Sequence, residues 1–335
     1  MKKLPSHIRQ AIQDLIKDEA GASYRLVDGL LSLSSRDVEI TELGETQLRL
    51  CEAGKSRSRF RIHPQGMEID RETGLLYITA VEIIENRDKT RQYWGAGRAH
   101  LFECNIEGET VRSVNLRSEN ENEYHPSGMV LIDGVMFIAL SQYGPETSAT
   151  IIKFNLKKWT YEKLFSIPDH VGLVVPNLDG DELFLGTWGS RDYYCTDLEG
   201  HIKEKRPTPS PDGLEHQDAQ LITGRIKRLG KVNPEKLGAV GPERETLMLA
   251  TGVTAGGMEH FGLDVVDITT WALKASLRWS SNQHLTKGGW PPFANPTYLW
   301  IDSCDRILAL AIPDDQKADN DTTLLLYTLG GVSDR

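Results

Sequence analysis

Histidine recurs in this chain at or next to the start of short apolar segments, and this recurrence is the first indication of a site. Four such segments read HPQGMEID at 63–70, HPSGMVLID at 125–133, DHVGLVVPNLD at 169–179 and EHQDAQLITG at 215–224. A fifth segment, NPTYLWID at 295–302, has asparagine in the corresponding place. The residues at these starts, which we call the head residues, are His63, His125, His170, His216 and Asn295.

Four imidazoles that converge from four different strands have two chemical uses. They could bind one divalent transition metal, and imidazole suits Zn, Fe, Cu, Ni and Mn, so residue type does not select among these ions. They could also act directly as acids and bases on a substrate. The residues predicted to bind a metal are His63, His125, His170 and His216.

A ligating histidine normally gives its second ring N–H to a carboxylate or a carbonyl. Asp169 and Glu215 each precede a head histidine, Asp218 lies two residues after one, and Glu82 ends a predicted second strand. The predicted catalytic set is therefore His63, His125, His170, His216, Asp218 and Glu82. A structural role stays open beside it, because buried histidines and aspartates also tie neighbouring blades of a propeller together by hydrogen bonds.

Aromatic residues and one arginine fall in or next to irregular segments between predicted strands. Such side chains could hold an organic acid or a flat apolar molecule. The predicted substrate-binding residues are Trp94, Tyr143, Trp188, Arg191 and Asn295. For the tryptophans, packing within the fold is an equally good interpretation.

The elements that must position these residues are short strands in a repeat of roughly fifty residues, which is typical of a β-propeller. Strand-like segments follow each head residue in groups of four, and the last group is one strand short. The segment TQLRLCEA at 46–53 would complete it and remove two exposed sheet edges. We predict an all-β fold, a single five-bladed propeller of four-stranded antiparallel blades. Six blades are the alternative if residues 23–50 form more than a closing strand.

Blade connectivity predicts where the site lies. The inner strand of a blade begins on one face of the ring, and the loop between the second and third strands returns to that same face. These loops are long and irregular at 83–98, 141–148 and 254–260. Because elaborated loops over a rigid scaffold often carry function, we expect the pocket over the mouth of the central channel.

The N-terminal region is predicted to contain a short helix within residues 6–19, where apolar residues recur at helical spacing. After it, YRLVDGLLSL at 24–33 and VEITEL at 38–43 are interpreted as strands, and Gly44–Glu45 as a hairpin turn. The predicted organisation is an N-terminal helical segment at 1–22, one propeller domain at 23–330 and a tail at 331–335.

Composition limits the partners. The chain has 38 basic and 48 acidic residues and a formal net charge of -10, which argues against nucleic acid or an anionic membrane as the main partner and favours a small-molecule substrate. Neither a signal peptide nor a membrane-spanning segment is recognisable, so a cytoplasmic location is expected. No nucleotide or flavin is expected either, since neither a P-loop nor a dinucleotide-binding glycine motif is found.

The motifs HPQGM, YHPSGM, DHVG, WGSR and GLDVVDI, with Gln-Asp at 217–218 and Asn-Pro at 295–296, resemble a bacterial and fungal propeller family catalogued as a domain of unknown function. The resemblance runs from about residue 58 to residue 328. More distantly, the HP-x-G heads resemble paraoxonase and gluconolactonase propellers, which implies metal-dependent lactonase or esterase activity. Those enzymes bind metal mainly through Glu, Asn and Asp, whereas this chain offers mostly His.

Three functions stay open from the sequence. The first is an enzyme that acts on a small organic molecule through the histidines, as a metal-dependent hydrolase or lactonase with one divalent ion. The second is a lyase, isomerase or cyclase of a secondary-metabolite pathway that uses the same histidines for proton transfer. The third is a non-catalytic propeller that binds a ligand or a protein.

Overall fold

Five antiparallel sheets form the blades of a β-propeller in a computed structural model of the chain. The structure describes residues 9, 10, 13, 22–33, 38–51, 61–86, 95–226, 244–254, 259–313 and 321–331. Of the helix predicted within residues 6–19, only residues 9, 10 and 13 belong to this set, and they are helical. The predicted fold class and the count of five blades are confirmed.

Each of the first two blades is a meander that runs outward from the channel. Blade 1 contains β2 (Arg61–Ile69), β3 (Leu76–Glu85), β4 (Ala96–Cys104) and β5 (Thr110–Leu116). Blade 2 contains β6 (Glu123–Pro126), β7 (Val130–Ile132), β8 (Val135–Gln142), β9 (Ala149–Asn155) and β10 (Thr160–Ile167). Here the inner strand is split into β6 and β7, which both pair with β8.

The next two blades repeat this order without a split. Blade 3 contains β11 (Val171–Pro176), β12 (Glu182–Thr187), β13 (Asp192–Asp197) and β14 (Ile202–Pro207). Blade 4 contains β15 (Leu214–Ile226), β16 (Arg244–Thr254), β17 (His260–Asp267) and β18 (Ala272–Ser280). Their inner strand β11 begins within the segment DHVG, and β15 contains the segment EHQD, so the histidine motifs lie next to the channel.

The two ends of the chain close the ring in blade 5. Its strands are β19 (Thr297–Ile301), β20 (Ile307–Ala311), β21 (Asp321–Gly331) and β1 (Val38–Arg49). Strand β1 pairs antiparallel with β21 from Val38↔Gly331 to Arg49↔Asp321. The predicted closing strand is confirmed, but the predicted hairpin at Gly44–Glu45 is wrong. The strand runs on through this point, with a shift of register between Glu42 and Gly44.

A second correction concerns residues 24–33, which were interpreted as a strand. They belong to α1 (Ala22–Leu33). Its buried side chains are those of Leu26, Val27, Leu30 and Leu33. They follow one another at intervals of one, three and three residues, so they lie on one face of the helix. This face packs against the apolar core of blades 4 and 5. Among the described helices, none has the length and apolar character needed to cross a membrane.

The inner strands approach one another so closely that the channel is closed below the histidines. A Cβ atom on Gly66 would lie 2.9 Å from the Cα atom of Gly128, and one on Gly128 would lie 2.8 Å from the carbonyl oxygen of Gln217. In addition, the N–H of Gly128 donates to the carbonyl of Gly172 at 2.9 Å. We call Gly66, Gly128 and Gln217 the channel floor, and a site at the mouth lies above it.

Candidate functional site

Three of the four head histidines lie side by side above the channel floor. The ring centroids of His63 and His125 are 6.0 Å apart, and those of His125 and His170 are 5.5 Å apart. Tyr143 meets His125 edge-on at 4.8 Å, Trp188 meets His170 at 4.8 Å, and the two aromatic rings meet each other at 5.0 Å. We call the three imidazoles the histidine cluster and the other two rings the aromatic pair.

Hydrogen bonds fix how two of these imidazoles present their nitrogens. The His170 Nδ1–H donates to the carbonyl of Gln142 at 2.9 Å, so its Nε2 keeps a lone pair. The Nε2 of His63 accepts from the Gln65 amide at 2.5 Å, so the neutral ring carries its proton on Nδ1. For His125, neither ring nitrogen has a hydrogen-bond partner among the described residues. The cluster thus offers an acceptor nitrogen on His170 and a donor N–H on His63, and His125 lies between them.

Burial keeps two members of the cluster neutral at pH 7. It lowers the pKa of His170 from its ordinary value of 6.5 to about 4. The pKa of His125 is lowered well below its usual range, first by burial and then by proximity to His170 and His63. A neutral imidazole is the form that can accept a proton or bind a metal.

The structure does not bring His216 into this cluster. Its ring is fully buried, with Nε2 3.0 Å from Asp264 Oδ2 and Nδ1 accepting a hydrogen bond from the Tyr193 hydroxyl. Asp264 is also paired with Arg278 at 2.8 Å. Since Tyr193 belongs to blade 3 and Asp264 to blade 4, His216 ties two blades together. The expected group of four histidines is therefore a group of three.

The pairing of the inner strands explains why His216 differs. In blades 1 to 4, the pairing of the inner strand with the next strand is interrupted near the start of the inner strand. The last residue paired before this interruption is Pro64 in blade 1, Pro126 in blade 2, Val171 in blade 3 and His216 in blade 4. We call the residue just before it the head position. In blades 1, 2 and 3 this is the histidine of the cluster, but in blade 4 it is Glu215. Because successive strand residues point to opposite faces, Glu215 points as the cluster histidines do, and His216 points away from them.

Glu215 was predicted only as a carboxylate that precedes a head histidine, whereas the pairing of β15 gives it the head position itself. Its carboxylate packs against the turn that carries Trp188, because a Cβ on Gly189 would lie 3.2 Å from Glu215 Oε1. Gly189 has φ 62°, a left-handed conformation that favours glycine, so this close approach is built into the turn. Glu215 is half-buried, and none of the described residues forms a hydrogen bond or ion pair with its carboxylate. Burial raises its pKa.

The two carboxylates predicted from the sequence are held away from the cluster. Asp218 is fully buried beside the channel floor, where its Oδ2 accepts from the backbone N–H of Met67 at 3.0 Å. Burial raises the pKa of Asp218 well above its usual range. Glu82 is engaged with its own blade, since its Oε2 lies 3.3 Å from Arg98 Nη1 and 3.2 Å from His100 Nε2.

The predicted substrate-binding residues divide in the same way. Tyr143 and Trp188 contact the cluster, as described above. Arg191 lies at the rim, where its guanidinium is paired with Asp169 at 2.9 Å and 3.2 Å. Asn295 is buried and donates its amide to the carbonyl of Pro313 at 2.8 Å. Trp94 lies outside the described residues.

Metal binding was predicted for the histidines, and their spacing bears on that prediction. The cluster centroids are 6.0 Å and 5.5 Å apart. If five head residues stood at this spacing in a regular ring, each ring centroid would lie about 5 Å from the channel axis. A metal bound by an imidazole nitrogen lies about 3 Å from the centroid of that imidazole. The rings would have to move inward to share one ion. Within the described ranges, one group of three potential ligand side chains has its ligand atoms within 4.8 Å of one another: Asp197, Glu199 and His201, on the outer surface of blade 3.

Residues 45–223, more than half of the 335, match a family of unknown function designated DUF6454. The chain belongs to that family. The matched span contains all three cluster histidines, Tyr143, Trp188 and Glu215, so the DUF6454 region includes the head positions of blades 1 to 4. No curated protein matches the chain.

Several solved structures are similar to this DUF6454 chain at low sequence identity. The Malassezia sympodialis allergen Mala s 1 is 10% identical, with a TM-score of 0.43 over 80% of this chain and 78% of that one. A luciferin-regenerating enzyme is 11% identical, with a TM-score of 0.43 over 87% and 96%. The periplasmic gluconolactonase PpgL of Pseudomonas aeruginosa is 15% identical, with a TM-score of 0.36 over 79% and 88%. Similarity at this level does not bear on activity.

Proposed function

We propose that this protein is an enzyme that transfers protons on a small organic molecule held at the channel mouth, with His63, His125 and His170 as its acid–base groups. The observation that carries the proposal is the state of His125. It is 6% exposed, and both of its ring nitrogens are without a hydrogen-bond partner among the described residues. Burying an unsatisfied polar atom costs about 1–3 kcal/mol, so a residue kept in this state calls for a functional explanation.

The two flanking histidines supply complementary groups. The lone pair on His170 Nε2 can accept a proton from a carbon next to a carbonyl. The N–H of His63 can donate a hydrogen bond to the carbonyl oxygen and stabilise the enolate that forms. Return of the proton from His170 to another carbon of an α-hydroxy or conjugated carbonyl compound gives an isomer and restores the neutral imidazole. This is the chemistry of an isomerase, a lyase or a cyclase, and it consumes no water.

A metal-dependent hydrolase, including a lactonase, is the second candidate. Three imidazoles on adjacent blades and the carboxylate of Glu215 form a donor set that suits a divalent transition metal. Such an ion would polarise a carbonyl and lower the pKa of bound water. The ring spacing is wider than one shared ion requires, which is why this function stands second.

Two assays separate these functions. Proton transfer is followed by NMR as exchange of solvent deuterium into a panel of ketones, and hydrolysis with γ- and δ-lactones and 4-nitrophenyl esters. Each assay is run on wild-type protein before and after chelation of metals and reloading with Zn²⁺ or Mn²⁺. The matched variants are His125→Ala and, as control, His201→Ala, because His201 is an exposed residue bonded to Asp197.

Proton transfer predicts deuterium exchange that survives chelation and falls at least about 100-fold in His125→Ala, with His201→Ala unchanged. Activity that requires metal and is confined to the lactones or esters would support the hydrolase instead. Turnover in His125→Ala equal to wild type would contradict both. Ligand binding that depends on His125, without turnover of any panel member, would favour a binding propeller.

A further inference from the structure

Among the described residues, the charged side chains that are buried or half-buried at the mouth have a hydrogen-bond or ionic partner, with one exception. At the rim, Arg191 is paired with Asp169 at 2.9 Å and lies 3.8 Å from Glu146. Arg98 is paired with Glu82 at 3.3 Å. The positive charges described there are therefore already balanced. A substrate carboxylate that bound Arg191 would have to compete with Asp169 for the guanidinium.

The exception is Glu215. It occupies the head position of blade 4, and none of the described residues pairs with its carboxylate, although it is half-buried. A carboxylate removed from water in this way is stabilised by a cation or by hydrogen-bond donors. Since His125 and His170 are held neutral, they do not provide that charge.

The turn against which this carboxylate packs carries an aromatic side chain. Trp188 opens the turn whose Gly189 packs against Glu215, and it contacts both His170 and Tyr143 edge-on. A carboxylate next to tryptophan and tyrosine is the combination that recognises an organic cation, because the carboxylate pairs with its charge and the rings attract both the charge and an apolar body.

We infer that the ligand of this site is a small molecule with a protonated amine and an aromatic or apolar body, bound with its ammonium group at Glu215 and its body against Tyr143 and Trp188. This inference takes the position of the site from the proposed function and adds the chemical class of the ligand. It extends the role of blade 4 from structure to recognition.

Three indole compounds that differ in charge test the inference by binding alone. Tryptamine is a cation at pH 7.5, tryptophol is neutral, and indole-3-acetate is an anion, while all three carry the same ring. Dissociation constants are measured by calorimetry on the full chain for wild type, for Glu215→Gln and for Glu146→Gln. Glu146 is the matched control, because it is an exposed carboxylate at the same rim that reaches Arg191 only at 3.8 Å.

Wild type should bind tryptamine about tenfold more tightly than tryptophol, and indole-3-acetate more weakly than either. Glu215→Gln should bind tryptamine about tenfold more weakly than wild type and leave tryptophol unchanged, while Glu146→Gln should match wild type. An unchanged preference in Glu215→Gln, tightest binding of indole-3-acetate, or no measurable binding of any of the three would overturn the inference.

Two further outcomes keep the inference separate from the proposed function. Binding of Zn²⁺ that requires Glu215 and excludes tryptamine would assign the carboxylate to a metal and overturn the inference, while leaving the hydrolase candidate standing. A charge preference that follows Glu215, together with turnover that does not depend on His125, would support the inference and contradict the proposed function.

Discussion

Glu215 occupies in blade 4 the position that His170 occupies in blade 3. Pairing is interrupted after Val171 in β11 but after His216 in β15, so the residue that faces the mouth is a histidine in one blade and a glutamate in the other. The mouth is therefore asymmetric, with three imidazoles at the head positions of blades 1 to 3 and a carboxylate at that of blade 4. His216 serves the packing of blades 3 and 4.

This difference predicts opposite effects of one substitution at two histidines. His125→Phe removes two nitrogens without partners, so the free energy of unfolding should stay within about 1 kcal/mol of wild type or rise. His216→Phe leaves Asp264 and the Tyr193 hydroxyl without their partner in a buried site, so it should cost about 3 kcal/mol or more. Urea denaturation measures both, and equal losses would contradict the assignment of roles.

The lowered pKa of His170 predicts a pH dependence in metal-free protein. Its folded pKa of about 4 lies below the ordinary 6.5, so the unfolded chain binds more protons between these values. The stabilisation is complete above pH 6.5 and is lost as pH falls toward 4, on the order of 3 kcal/mol. NMR titration of the imidazole measures the folded value. A His170 pKa at or above 6.5 would contradict the burial of a neutral ring.

Glu68 predicts the opposite dependence. Burial raises its pKa from 4.5 to about 8, so the folded protein holds an extra proton in this interval and loses stability as pH rises through it. Glu68→Gln keeps an oxygen to accept from the Leu131 N–H, so it should match wild type at pH 5 and exceed it by roughly 3–4 kcal/mol at pH 8.

Glu103→Gln is the matched control for Glu68→Gln, because Glu103 is a buried glutamate with a bidentate partner in Arg112. It should lower stability at both pH values, since it removes the charge of a buried carboxylate that pairs with the Arg112 guanidinium. If Glu68→Gln also lowered stability at pH 8, the protonated state of Glu68 would be refuted.

The close packing of the channel floor predicts that alanine is tolerated differently at two glycines. Gly66→Ala would place a methyl group 2.9 Å from the Cα atom of Gly128, and such overpacking should cost on the order of 1–3 kcal/mol. Gly172→Ala meets nothing nearer than His170 Nε2 at 3.7 Å and should be close to neutral in stability. Thermal unfolding of the two variants compares them. A Gly66→Ala protein as stable as Gly172→Ala would mean that the floor is open.

The repeat predicted most of this fold because each inner strand is a distinct apolar run behind a recognisable head. The helix α1 was missed because short apolar runs such as Leu26, Val27 and Leu30 fit both a buried strand and one face of a helix. Glu215 was predicted as a neighbour of a head residue, and not as a head residue, for another reason. Which residue faces the mouth depends on where a strand bulges, and a shift of one residue exchanges the two faces. Residue identity favoured His216, whereas backbone pairing selects its neighbour.

The most direct test of the site is NMR of protein labelled with ¹⁵N at histidine, screened against a library of small amines, ketones and lactones. Compounds that bind should shift the imidazole signals of His63, His125 and His170 and leave that of His216 unchanged. Binding that shifts His216, or that leaves all three cluster histidines unmoved, would contradict the assignment of the site.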